Sequence, residues 1–194
     1  MSFSMAMADF VKCAGMTLEF EGVNSSSEYT EAGGTASKFG VTVDIAKRAA
    51  DMDTFDKNGD GKITSKDIKK LNFDDAIIAY KKVYWDCWDL GSLDDQKATL
   101  IFDAALNHGH RVAAKIVQKT LIRMGFNNVV ADGVYGPQTR NSIADAATET
   151  FIDEYFVTRK AYYNALAEAY SDQKENLPAW MERLDALKDA ISCM

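Results

Sequence analysis

A chain of 194 residues, 47% of them hydrophobic and with only two prolines, can bury one sizeable core, or a domain with a closely packed second lobe, and is not a disordered polymer. Its net charge of −7 excludes a general nucleic-acid binder, which needs basic surface to displace counterions. No apolar run approaches a membrane span, and the start, MSFSMAMADFVKCAGM, lacks the basic end and long apolar core of a signal peptide, so neither secretion by that route nor stable membrane insertion is expected.

In chain order, the spacing predicts a helix from about Ala6 to Phe20, with Phe10, Cys13 and Thr17 on one line and Val11, Ala14 and Leu18 beside it. Glu21 falls one turn beyond Thr17 and Leu18. A carboxyl at the C-terminal end of a half-buried helix is disfavoured as an anion by both the helix dipole and desolvation, which suits a general acid. The polar stretch from Gly22 to Lys38 adds Glu28, Glu31 and the Gly33-Gly34 pair, and short extended pieces are expected between Glu28 and Val41.

A helical pattern then runs from Val41 to Phe55. Asn72 is placed to cap a helix with Asp74 and Asp75 in its first turn and Ile77, Tyr80, Tyr84 and Trp88 along it. Another helix begins near Leu93 and ends at Asn107-His108-Gly109, and Arg111 to Arg123 follows. Asn127 to Pro137 is rich in turn residues. Pro137 suits the first position of a long helix to about Tyr170, and Asn176-Leu177-Pro178 opens the last. Cys13, Cys87 and Cys193 have no metal-like spacing and are expected as reduced thiols, the first two buried.

The sharpest local motif is DKNGDGKITSKD, residues 56–67. Asp56, Asn58 and Asp60 stand at the first three ligand positions of an EF-hand-type calcium loop, with Gly61 at the sharp turn. Lys62 would offer its backbone carbonyl, Thr64 a ninth-position ligand, and Asp67 the twelfth, where a longer Glu is usual. A structural Ca2+ ion is expected. A single loop does not make a sensor.

Four segments taken together resemble glycoside hydrolase family 108, lysozyme-like peptidoglycan N-acetylmuramidases common among bacteriophage endolysins. They are Phe20-Glu21-Gly22 with Gly33-Gly34 and Phe39-Gly40-Val41-Thr42; Tyr80 with Tyr84-Trp85; Asp103 to Gly109 with Ala113, Gln118 and Leu121; and Asp132-Gly133-Val134-Tyr135-Gly136-Pro137-Gln138-Thr139. The sequence departs from the family pattern at Val23, at Glu31-Ala32 and in the inserted calcium-type loop.

The resemblance implies a mainly α, lysozyme-like α+β fold, with about eight helices and a small extended region after the first. It implies a catalytic lobe over residues 1–92, with the loop at 56–67, and a helical peptidoglycan-binding lobe over residues 93–194 packed against it. Glu21 is expected as general acid, Glu31 as the second group and Thr42 as holder of the water, with Glu28, Tyr84, Trp85 and Asn107 at the substrate. The expected partner is peptidoglycan. The protein is expected to be a monomer made in the host bacterial cytoplasm and to act on the cell wall. Two other readings are a lytic transglycosylase and a non-enzymatic, calcium-dependent wall-binding module.

Overall fold

The computed structural model describes residues 8–20, 29–32 and 35–194. Among these are nine α-helices and one three-stranded antiparallel sheet, the mainly α fold expected. The helices divide between two compact units. Gly15–Asp89 forms one, and Leu90–Met194 with the described residues up to Ala14 forms the other. The division therefore differs from a simple cut at residue 92, because the first turn of helix α1 (Phe10–Phe20) groups with the C-terminal half. The bonds responsible reach across the sequence: the Ala8 amide donates to the carbonyls of Gly91 and Leu93, Lys12 pairs with Asp95, and the Phe10 ring meets Phe102 edge-on at 5.9 Å. The inner line of α1 is as expected at Phe10, Cys13, Ala14, Thr17 and Leu18, all buried, but Val11 is 75% exposed.

The Gly15–Asp89 unit holds the sheet, in order β1 (Thr30–Ala32), β2 (Thr35–Lys38) and β3 (Val41–Thr42). A continuous helix from Val41 to Phe55 is not found. Val41 and Thr42 pair with Lys38 and Ser37, and α2 (Val43–Arg48) starts only after them. Ala50 then turns left-handed (φ 52°), and α3 (Met52–Phe55) begins from Asp51, whose carboxylate caps Thr54 and pairs with Lys82 at 2.8 Å. After the loop come α4 (Ser65–Ile68) and α5 (Phe73–Tyr80). Asn72 caps α5 as predicted, in a reciprocal capping box with Asp75. The helix then widens into a π turn at Lys81–Trp85 and tightens into a 3-10 turn at Asp86–Trp88. Cys87 falls there and is exposed, contrary to expectation, while Cys13 is buried.

The other unit is built on α6 (Asp95–Arg123), α7 (Pro137–Asp145), α8 (Thr148–Ala169) and α9 (Leu177–Ser192). Gly109 breaks α6 where the sequence places a stop (φ 74°, ψ 162°). The long helix predicted from Gln138 to Tyr170 is two helices, because Ala146 and Ala147 are extended and the buried Lys97 ammonium takes the Ala146 carbonyl at 2.7 Å. The core is charged at its centre. Asp103 of α6, fully buried, accepts from Arg159 of α8 and from Arg183 of α9.

His108 joins this cluster through Nε2, 3.3 Å from Arg159 and 3.2 Å from the Tyr163 hydroxyl. A guanidinium only donates, so Nε2 is the acceptor and the ring is neutral. Burial, with the Arg159 charge adding to it, pushes the His108 pKa down to about 3. The unfolded chain takes a proton near pH 6.5 that the folded chain refuses until about pH 3, so this histidine's stabilising contribution is complete above pH 6.5 and is lost as pH falls through that window. Urea titrations from pH 7 to pH 4 should show wild-type stability declining faster than that of His108→Asn, by up to about 1.4 kcal/mol per pH unit. Parallel curves would mean that His108 titrates in the fold as it does in the unfolded chain.

Candidate active site

The sheet ends in the segment Phe39-Gly40-Val41-Thr42. Lys38 pairs with Val41, so Phe39 and Gly40 form a two-residue hairpin loop, and both have positive φ (52° and 75°), as primed hairpin turns require. Glycine accepts that backbone freely, whereas phenylalanine is strained there. Three contacts hold Phe39 in place. Its ring is buried, it meets Phe73 edge-on at 6.0 Å, and its carbonyl accepts from the Tyr80 hydroxyl at 2.9 Å. The turn delivers Val41 inward and Thr42 to the N-cap of α2, where its Oγ1 accepts from the Ile45 amide at 3.3 Å. The Thr42 hydroxyl proton remains available to donate.

Glu21 and Glu28 lie outside the described residues. Glu21 follows directly on Phe20, the last residue of α1. For Glu31 the backbone is described: it lies in β1, paired with Ala36. Tyr84 and Trp85 lie in the π turn and are buried, at 6% and 3% exposure, so they serve as packing and offer no open aromatic platform. Burial raises the Tyr84 pKa, against the opposing charge of Arg48, whose guanidinium stands 5.7 Å from the ring centre. Asn107 belongs to the other unit. Its side-chain amide turns back on its own helix and donates to the Asp103 carbonyl at 2.8 Å.

Sequence reasoning missed the Tyr80–Phe39 bond, since Tyr80 looked like one more apolar stripe residue. It also missed Thr17, whose fully buried Oγ1 finds no hydrogen-bond partner among the described residues.

The calcium-type loop is folded tightly on its own side chains. Asp56 Oδ1 accepts from the amides of Gly59 (2.9 Å) and Asp60 (3.2 Å), and Oδ2 from that of Gly61 (2.8 Å). Asn58 and Asp60 accept from the amides two residues on, both at 2.9 Å. Gly59 and Gly61 have positive φ. Asp67 is fully buried. Its Oδ2 accepts from the Thr64 amide and hydroxyl, both at 2.9 Å, and its Oδ1 has no hydrogen-bond partner within bonding distance among the described residues. Burial acts to raise the Asp67 pKa, but the Thr64 bonds and the amides of Asn58 and Lys57 outweigh it and keep it low, so a buried carboxylate anion faces the start of the loop. Among the described residues no three His, Cys, Asp or Glu side chains gather closely enough to hold a metal by themselves. A cation here would also need the Asn58 amide oxygen, the Lys62 carbonyl and Thr64, an all-oxygen set of the kind calcium takes.

In the other unit the Asp132–Thr139 segment is clamped onto α6 by one side chain. Gln118 Nε2 donates to Asp132 Oδ1 (2.8 Å), the Val134 carbonyl (3.0 Å) and Thr139 Oγ1 (3.2 Å), and its Oε1 accepts from the Gly133 amide (2.9 Å). Gly133 has φ 83°, and a Cβ there would meet Arg111 Cγ at 2.9 Å, so no larger residue fits.

A short sheet turning into a capped helix beside buried aromatics, and a separate helical unit, make up a mainly α, lysozyme-like fold. Residues 14–109 match the glycosyl hydrolase 108 family, and residues 112–185 match the family described as a predicted peptidoglycan domain. Residues 14–109 thus form a glycosyl hydrolase 108 unit, and the chain is a glycoside hydrolase acting on peptidoglycan. Its fold is similar to that in the structure of Brucella abortus SagA, with a TM-score of 0.65 and 19% identity over 95% of this chain and 94% of that one. Comparison with curated proteins finds no match.

Tyr80→Phe removes the donor to the buried Phe39 carbonyl and should cost ~1–3 kcal/mol in urea unfolding. An unchanged unfolding midpoint would show that the strained turn holds without that bond.

Proposed function

We propose that the protein hydrolyses the β-1,4 bond between N-acetylmuramic acid and N-acetylglucosamine, with Glu21 as general acid. The observation that carries this reading is the burial of Thr17 and Leu18, at 0% and 4% exposure, four and three residues before Glu21 in the sequence and within the segment that matches the hydrolase family. A carboxyl held against such a buried face favours its neutral form. Glu21 gives its proton to the glycosidic oxygen, and N-acetylglucosamine leaves with a free hydroxyl. Glu31, or Glu28 in its place, stabilises the oxocarbenium-like sugar or takes the proton of an attacking water oriented by Thr42.

The same likeness supports an endolysin of bacteriophage type: a monomer made in the host cytoplasm that meets its substrate at the cell wall. Tyr84 and Trp85 support the substrate face from behind, and Asn107 is a further candidate contact.

Glu21→Gln should lower release of reducing ends from purified peptidoglycan by ~10²–10⁴-fold. Full activity in that variant would remove Glu21 as the acid. Mass spectrometry of the products separates hydrolysis from transglycosylation, since 1,6-anhydromuramic ends would show attack by the sugar's own hydroxyl in place of water.

We also propose that residues 56–67 hold a structural Ca2+ through Asp56, Asn58, Asp60, the Lys62 carbonyl, Thr64 and Asp67. The support is the buried Asp67 Oδ1, without a hydrogen bond among the described residues, together with an all-oxygen donor set. When bound, the ion supplies positive charge to this loop and takes no part in the sugar chemistry. At 100 times its dissociation constant it should stabilise the protein by ~2.7 kcal/mol. Thermal unfolding with and without a chelator reads this directly, and identical midpoints would rule the site out.

A further inference from the structure

On α6, Arg111, Lys115, Lys119 and Arg123 recur every four residues and so share one face, a basic ridge on a chain of net charge −7. Arg123 is engaged with Glu154 of α8 at 2.6 Å, and Arg111 stands by Asp132. Among the described residues Lys115 and Lys119 form no ion pair. Beside them, between the second half of α6 and α8, runs an open groove of about 560 Å³. Its floor is made by Ile116, Ile122, Val157, Ala161 and Ala165, and Ile122 and Val157 are 43% and 48% exposed. The volume falls in the range of small-ligand sites, ~300–1,000 Å³. The groove, and the ridge from Lys115 onward, lie within the segment that matches the peptidoglycan domain.

We propose that this groove binds the peptide stem of peptidoglycan, its small aliphatic side chains on the apolar floor and its carboxylates on Lys115 and Lys119. The inference rests on the reading of residues 112–185 as a peptidoglycan-binding unit and adds which part of the polymer is held, and where. The choice between glycan and peptide follows from chemistry. A sugar chain is polar and uncharged apart from its substituents, and it is usually gripped by open aromatic faces and hydrogen-bonding side chains. This floor is aliphatic, and its one aromatic, Tyr162, is half-buried. The stem peptide combines alanine-sized side chains with free carboxylates, which fits an apolar floor and a cationic rim on one side only. That one-sided rim sets the direction of binding, with the carboxylates towards α6 and the apolar edge towards α8.

The test is an NMR titration of the full ¹⁵N-labelled chain with three soluble probes: a disaccharide–tetrapeptide, the same disaccharide with its peptide removed, and the free tetrapeptide. The disaccharide–tetrapeptide lacks the bond the enzyme is proposed to cut, so it persists through the measurement. Amide shifts at Lys115, Lys119, Ile122, Val157 and Ala165 are expected with both peptide-bearing probes and not with the bare disaccharide. Lys115→Glu combined with Lys119→Glu should weaken binding on the order of tenfold or more, whereas the paired Lys→Arg changes should retain it. Ala165→Trp, an exposed position, should fill the groove with the same loss.

Shifts elsewhere in residues 112–185 but not in the groove would overturn the groove and leave the peptidoglycan-binding reading standing. No shift anywhere in that segment would overturn both. Groove shifts that follow protein dilution in place of ligand would make it a contact between copies of the chain and overturn the proposal.

Discussion

The geometry of the catalytic unit depends on one buried hydrogen bond, from the Tyr80 hydroxyl to the carbonyl of Phe39. A non-glycine residue in the left-handed region costs roughly 1–2 kcal/mol, and Phe39 stays there because its ring is buried, meets Phe73, and its carbonyl is satisfied from across the fold. Everything just downstream is keyed to that turn. Strand side chains alternate, so a slip of one residue would carry Val41 out of the core and take Thr42 from the N-cap of α2. The family segment Phe39-Gly40-Val41-Thr42 thus has a mechanical meaning: two left-handed residues, one buried anchor and one cap.

The second unit solves a different problem by similar means. Three helices converge on the Asp103 carboxylate, which is fully buried and receives two guanidinium groups. Burying such charges costs several kcal/mol per ion, and a matched pair recovers much of it, whereas an orphaned partner does not. The cluster therefore fixes the arrangement of α6, α8 and α9 more firmly than it adds net stability. Gln118 plays the corresponding part at the turn-rich segment, where four hydrogen bonds from one amide replace a sheet or a disulfide.

Much of this was legible in the sequence wherever the cause is local. The Asn72 cap, the Gly109 break, the Pro137 start and the inward line of α1 follow from residue type and spacing, and all four are in the structure. The missed breaks share a different origin. Ala50 and Ala146-Ala147 carry no glycine or proline signal, and what breaks the helices there comes from distant residues: Lys82 on Asp51, and Lys97 on the Ala146 carbonyl. Asp103 and Arg159 lie 56 positions apart, so periodicity shows each as a polar residue among apolar ones and not as a pair. Cys87 is expected to be buried, but it follows the π turn at Lys81–Trp85 and is exposed. The acids Glu21 and Glu28 rest on the motif itself, and Glu31 on motif and strand register.

The calcium-type loop is coupled to the Phe39–Gly40 turn through a short covalent and electrostatic path. Lys57, its second residue, pairs with the buried Asp75 at 2.9 Å, and Asp75 is half of the capping box that starts α5. Five residues later the same helix ends in Tyr80, the donor to Phe39. The loop's amides are already satisfied by Asp56, Asn58 and Asp60, so its shape does not wait for an ion. The Asp67 carboxylate is held as a buried anion by Thr64 and the Asn58 and Lys57 amides, but its net negative charge is not neutralised and one oxygen has no hydrogen bond among the described residues. A cation answering that charge would therefore act on the free energy of a preformed loop, and through Lys57 and α5 on the firmness of the turn that presents Thr42, without drawing new structure. That separates its role from the folding-coupled metals of small domains, where the site does not exist until the ion arrives.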